Sequence, residues 1–266
     1  MTPRHPFTPS SLHPLIILVC IALLTACTPS DTWQRIQSTN TLRVGLDPTY
    51  PPFENADDGE LIGIDVDLAR AIGDRLNLDV EFVYFGYDGL YDALATEQVD
   101  VLISALVIRS DQLDDFAYSE PYFNAGQLLV VPADDDGTRS LEDLNGETVA
   151  VELGAQSHVI GAEWQRRLPD LSIEPYETPN EALDATVQDR SAATLVDAIS
   201  ARLYLAQNDA LRLVAEPVTV EPFAMVVRRE DQRLLEELNA ALQTLEENGQ
   251  LDQLISRHMA SPPTSN

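Results

Sequence analysis

An α/β fold with parallel sheets is predicted by three observations. Short apolar runs that read as strands recur between segments of helical periodicity. Val99–Leu106 is almost continuously apolar, the mark of a strand buried on both faces. After Leu128–Val131 the strand-then-helix pattern starts again, so the chain carries the motif in two regions.

The elements follow in order. Leu15 to Leu24 is an apolar run closed by Leu24-Thr25-Ala26-Cys27. A run of roughly ten residues is too short for a membrane helix and suits the core of a signal peptide. A small residue followed by cysteine reads as a lipoprotein export signal, although the leader's positive region offers only Arg4 and the amino terminus. Residues 1–26 are therefore expected to be a leader, with Cys27 lipidated and the protein held by lipid on the periplasmic or extracellular face of the cell membrane. Residues 27–40, rich in Thr, Ser and Pro, read as a tether.

Leu42–Leu46 is a strand ended by Asp47-Pro48, and Pro51-Pro52 prevents regular structure just beyond. Ile64, Leu68, Ala71, Ile72 and Leu76 recur at helical spacing, with Asp65 and Asp67 in the first turn where carboxylates favour the helix dipole. Val80, Phe82 and Tyr84 alternate as a strand, and Leu90–Glu97 reads as a helix. In the second region the strand candidates are Val149–Leu153 and Ala193–Val196, with a helix at Glu181–Gln188 between them. Residues 132–137 and Glu216-Pro217 read as loops beside a hinge. A last amphipathic helix, about 230–258, runs through Leu234, Leu235, Leu238, Leu242 and Leu245, and 259–266 reads as a disordered tail.

The charge balance narrows the function. Sixteen basic residues, all arginine, stand against 44 acidic ones, for a net charge of −28. Such a surface repels nucleic acid and anionic headgroups but can concentrate cationic ligands. The cysteines are Cys20 and Cys27, so a chain cut before Cys27 has no disulfide and relies on ordinary burial. The histidines, His5, His13, His158 and His258, form no metal-ligating or triad pattern, and no cofactor is expected.

Several segments together resemble the family 3 extracellular solute-binding proteins, which feed amino-acid ABC importers. They include Leu42–Asp47 with Tyr50-Pro51-Pro52-Phe53, Gly63-Ile64-Asp65-Val66-Asp67-Leu68, and Tyr87-Asp88-Gly89-Leu90. Val99–Ser104, Tyr118–Phe123, Ser140–Gly146, Val149–Gly154 and Glu221-Pro222-Phe223-Ala224 complete an ordered set over about 41–258. The resemblance implies a type II periplasmic-binding-protein clamshell: lobe 1 over 41–128 and 219–258, lobe 2 over 129–218. Crossing segments are expected near Leu129–Val131 and Val214–Val220. Ligand binds between the lobes, closure is a hinge motion, and a membrane permease reads it. The protein is expected to act as a monomer and to do no chemistry.

The resemblance also carries site residues over. Asp47 and Asp197 match the two aspartates that meet a ligand ammonium; turn and helix-cap roles are their plain alternatives. Tyr50 and Tyr87 match aromatic positions over the ligand side chain. Phe53 reads as core. The carboxylate end departs from the pattern: Ser104 is kept, but Ala105 and Val107 replace hydroxyl positions and Gln112 stands where the family has its carboxylate-binding arginine. Arg109 either swings into the cleft to replace that clamp or points to solvent and pairs with Asp111, Asp114 or Asp115. Gly154 and Gln156 stand where the family has Gly-Thr-Thr, before a helix N-terminus that could face an anion. The expected ligand is therefore an amino acid or a related amine-bearing compound. The alternatives are a sensing lipoprotein that signals to a membrane receptor, and an enzyme like cyclohexadienyl dehydratase on the same fold.

Overall fold

A computed structural model describes residues 31–57 and 59–260. The leader, Cys27 and the last six residues of the expected tail lie outside the described residues.

The described residues open with α1 (Thr32–Thr39), inside the stretch expected to be a tether. Asp31 caps it by accepting the Trp33 amide, and Trp33 and Ile36 are buried against the first sheet. Two apolar side chains at helical spacing outweigh the polar composition around them. Asp100, fully buried, ties α1 to the sheet by accepting from both Arg35 and Arg43.

The first sheet has the order β5-β1-β6-β15-β7. β1 (Thr41–Leu46) pairs in parallel with β5 (Asp79–Tyr84) and with β6 (Val101–Leu102). Only these two residues of the apolar run 99–106 join the ladder, because the chain turns at Ala105 with φ +45°. Between β1 and β5 come a small antiparallel sheet, β2 (Thr49–Tyr50), β3 (Glu54–Asp57) and β4 (Glu60–Ile62), and then α2 (Ile64–Leu76). α2 buries Ile64, Val66, Leu68 and Ile72 completely, each contributing about 1.5–3 kcal/mol. Its N-terminal amides dock the Pro52 and Phe53 carbonyls at 3.0 and 2.9 Å. That approach requires Gly63: at φ +139° a Cβ would meet the Phe53 carbonyl oxygen at 2.0 Å. α3 (Leu90–Ala95) closes the other face.

After β7 (Phe116–Tyr118) the chain leaves this sheet through β8 (Phe123–Asn124). The second sheet has the order β11-β10-β12-β9-β13. Here β10 (Thr148–Glu152) is parallel to β11 (Ser172–Tyr176) and β12 (Ala193–Asp197), whereas β9 (Gln127–Pro132) is antiparallel to β12 and β13 (Leu211–Leu213). Helices α4 (Gln156–Arg167), α5 (Pro179–Val187) and α6 (Ala198–Leu205) flank it. Leu129–Val131, expected at a crossing, thus lies within the second sheet.

The chain returns through β14 (Pro222–Phe223) to β15 (Val226–Arg228), antiparallel to β6 and β7. The expected last helix is two, α7 (Gln232–Glu247) and α8 (Gln250–Ala260), separated at Gly249, φ +75°. Met259 and Ala260, expected in the tail, finish α8, with Met259 buried.

The crossing strands β8 and β14 pair antiparallel, and the ribbon continues beyond them. Asn124 Oδ1 accepts from the Glu221 amide at 2.7 Å and the Gly126 amide at 3.1 Å, and Thr219 Oγ1 accepts from the Gln127 amide at 2.8 Å. Phe53, Phe123 and Phe223 join edge to face under this ribbon, with centroids 5.1 and 5.2 Å from Phe53. The hinge and the loop after β1 therefore share one small aromatic core.

Candidate functional site

Directly above that core lies a cleft of about 410 Å³. Its wall is built by the loop after β1 (Asp47, Thr49, Tyr50), by Glu54 of β3 and by Tyr87. Ser104, Ala105 and Val107 beyond β6, with Glu221 and Phe223 of the return crossing, complete it. The strand ends of the first sheet and one hinge strand thus converge on a single space.

Asp47 is fixed from two sides. Its Oδ2 accepts the Tyr87 amide at 2.9 Å and its Oδ1 the Thr49 hydroxyl at 2.8 Å. Its own amide donates to Ser104 Oγ at 3.0 Å. Each carboxylate oxygen keeps lone-pair capacity for a further donor. Tyr50 stacks on Phe53 with centroids 5.7 Å apart, and Tyr50 and Tyr87 are 46 and 57% exposed, so both rings are wall and not core. Burial, followed by the charges of Asp197, Glu54 and Glu221, pushes the Tyr50 phenol above its ordinary range.

Asp197 ends β12 and caps α6, its Oδ1 accepting the Ile199 and Ser200 amides at 3.0 and 2.9 Å. The helix-cap role is thus real, and Oδ2 is left over for another donor. Gly154 takes φ +81° at the turn into α4, its amide donating to His158 Nδ1 at 3.2 Å. Gln156 opens α4 and is exposed. Gly154, Gln156 and Asp197 belong to the second lobe and do not line the cleft in this arrangement.

Arg109 takes the solvent-side option. It forms an exposed pair with Asp111 at 2.7 Å, and its guanidinium lies over the Tyr91 ring, 5.9 Å from the centroid. Gln112 lies in a short 3₁₀ turn (Ser110–Gln112) away from the cleft. Neither reaches the cleft wall. None of the described residues lining the cleft is Arg or His, and the sequence has no lysine.

Four wall residues were not singled out from the sequence as site residues: Thr49, Glu54, Glu221 and Phe223. Glu54 and Glu221 sit at the edges of recognised motifs, directly after Tyr50–Phe53 and directly before Pro222-Phe223. An acidic residue one step from an apolar turn was the available signal. Only the fold shows that both turn toward one space.

Residues 42–261 match the family model "Bacterial extracellular solute-binding proteins, family 3". The chain belongs to this family. Among named relatives of this solute-binding protein, the arginine-binding extracellular protein ArtP of Bacillus subtilis is 28% identical over 243 residues, 90% of this chain and 94% of that one. The L-cystine-binding protein TcyJ of Escherichia coli is 28% identical over 235 residues, 86% of each. Among solved structures, the open, unliganded L-cystine solute receptor of Neisseria gonorrhoeae superposes with TM-score 0.73 at 26% identity, covering 86% of this chain and 96% of that one. An ancestral cyclohexadienyl dehydratase superposes with TM-score 0.75 at 24% identity, over 88% and 99%, and shows the fold alone. The architecture is the two-lobed type II clamshell. Among the described residues no helix is long and apolar enough to cross a membrane.

Proposed function

We propose that this solute-binding protein is a lipid-anchored extracytoplasmic receptor that captures a small cationic, amine-bearing ligand and delivers it to an ABC import permease. The ligand is an amino acid or a related amine, bound between the lobes without the usual arginine clamp on an α-carboxylate. Asp47 of the first lobe and Asp197 of the second hold the ammonium, with Tyr50 and Tyr87 covering the ligand body. Ser104 contributes through Asp47, and Gly154 and Gln156 meet the ligand from the second lobe on closure.

The observation that carries this reading is the sign of the cleft wall: Asp47 and Glu221 line it, and none of the described lining residues is basic. A carboxylate-rich ligand needs donors to offset its desolvation, and a cation finds them unnecessary. The Ser104 hydroxyl is already spent, donating to Glu54 Oε1 at 2.6 Å. The same argument weighs against elimination chemistry on a carboxylate-rich substrate, so the protein is a binder and not an enzyme. Named relatives that bind arginine and cystine support an amino-acid-sized ligand.

Lobe closure supplies the transport signal, because a ligand bridging both lobes shifts the hinge equilibrium by its differential affinity for the closed form. The experiment is a thermal-shift panel of the mature domain with L-arginine, putrescine, L-cystine, L-glutamate and succinate. Ligand at about a hundredfold above its Kd adds roughly 2.7 kcal/mol of stability. The cationic members are expected to raise Tm; a panel in which only the dicarboxylates do so overturns the reading. For the anchor, Cys27→Ser is expected to move the protein from the membrane fraction to the soluble one.

A further inference from the structure

Glu54 is the buried group that ammonium binding leaves without a task. It is 1% exposed, and its Oε1 accepts the Ser104 hydroxyl. Ser104 Oγ in turn accepts the Asp47 amide, so Glu54 stands two hydrogen bonds from the Asp47 backbone. Behind it Asp65, fully buried at the start of α2, accepts the Ala105 amide on Oδ2 at 2.6 Å.

The remaining oxygens decide the matter. Glu54 Oε2, Asp65 Oδ1 and the Tyr122 hydroxyl are buried with no hydrogen-bond partner formed among the described residues, although the three groups lie close together. Two ionised carboxylates only accept, and so close together in a weakly screening interior they repel. One proton between them satisfies both oxygens. The ionised member is Asp65, which has the Ala105 amide and the buried Tyr122 hydroxyl beside it; Glu54 has only Ser104. The other charge acting on Glu54 is Asp47, also negative, and no cation stands among its main influences within the described residues. Desolvation first, and then the Asp65 charge, push the Glu54 carboxyl far above its ordinary range.

We propose that Glu54 is a positioning residue of the ligand site that works as a neutral acid, donating its proton to Asp65 and holding Asp47 in place through Ser104. The role in binding rests on the reading that Asp47 meets the ligand. The relay has one direction: the Asp47 amide donates to Ser104, the Ser104 hydroxyl to Glu54, and the Glu54 acid to Asp65. The Ser104 proton therefore points inward and is withheld from any ligand carboxylate, which makes Glu54 a selectivity device as well.

Glu54→Gln reproduces the neutral acid, its carbonyl accepting from Ser104 and its amide donating to Asp65. Glu54→Met keeps the bulk and removes both bonds. In the unfolded chain Glu54 ionises above about pH 4.3, whereas the folded protein keeps the proton. The contribution of Glu54 to wild-type stability is then fullest below that pH and falls as pH rises toward the folded value. Glu54→Gln lacks that loss. From urea denaturation between pH 5 and 8, the ratio of the variant's folding constant to the wild type's is expected to rise about tenfold per pH unit. A flat ratio means that Glu54 is ionised in the fold and overturns the proposal.

Positioning is read by NMR amide exchange at Asp47 in the ligand-free protein, and by calorimetry with L-arginine and putrescine at pH 7. Glu54→Gln is expected to keep Asp47 protection and to bind within about threefold of wild type, while Glu54→Met loses protection and at least tenfold in affinity. Equal behaviour of Glu54→Met and wild type overturns the positioning role. Equal losses in both variants overturn the neutral acid. Failure of both probes to bind wild type refutes the ligand reading separately, since the pH and exchange arms use no ligand.

Discussion

Replacing Asp47 by asparagine tests the ligand assignment at its centre. The carboxylate is held by the Tyr87 amide at 2.9 Å and the Thr49 hydroxyl at 2.8 Å, one on each oxygen. Asparagine keeps one acceptor oxygen, so it turns its amide toward one of those donors or toward the ligand. A charge-assisted hydrogen bond lost to an ammonium is worth about 1.5–3 kcal/mol. Removing the charge at about 4 Å in a half-buried setting forfeits up to about 4 kcal/mol in all, with Asp197 compensating part. The expected loss is therefore about 2–4 kcal/mol, or roughly thirty- to several-hundredfold in Kd. Isothermal titration with L-arginine and putrescine measures it. The ligand-free fold should lose only about 1 kcal/mol, the worth of one hydrogen bond, and a few degrees in Tm. Binding within threefold of wild type, in a variant that is folded by circular dichroism, would sink the assignment of Asp47 as the ammonium partner.

Other outcomes follow from the same geometry. Glu221→Gln removes a cleft charge from the hinge strand without touching the Asn124 bond, which uses its backbone amide; it should weaken putrescine more than a monoamine of similar length, by about three- to tenfold, and equal losses for both would refute a contact with the second amine. Arg109→Ala should leave L-arginine affinity unchanged within twofold, because the guanidinium is engaged with Asp111 and lies outside the cleft; a tenfold loss would mean that it enters on closure. Gly126→Ala places a Cβ 2.1 Å from the Thr219 carbonyl oxygen where the crossings touch. It should cost about 1–3 kcal/mol in denaturant unfolding and alter the interlobe distance seen by small-angle scattering; wild-type values of both would contradict the close approach.

Much of the molecule was legible in its residues. Helical spacing at Ile64, Leu68, Ile72 and Leu76 placed α2, because burial of one face demands that periodicity; the alternation at Val80 and Phe82 placed β5, although Tyr84, which continues it, is exposed. Asp47, Tyr50, Tyr87 and Ser104 were identifiable by order in the chain and converge on one wall. Composition misled at residues 32–39, where Ser and Thr surround the two side chains that dock α1. The run 99–106 looked like one long strand, but a left-handed turn at Ala105, bonded to Asp65, ends the ladder early.

What the sequence determined by itself is what depends on neighbours along the chain: two α/β regions, the turn at Pro51-Pro52 and the acidic character. What only the tertiary structure decided is which distant groups face one another. Arg109 had two available directions, and the nearby Asp111 took it. Glu54 and Asp65 lie eleven positions apart on different elements, and only the docking of the Pro52–Phe53 turn on α2 buries them side by side. A shared proton is a property of that burial: in water each acid would ionise alone, and in the dry interior behind the cleft one of them must stay neutral.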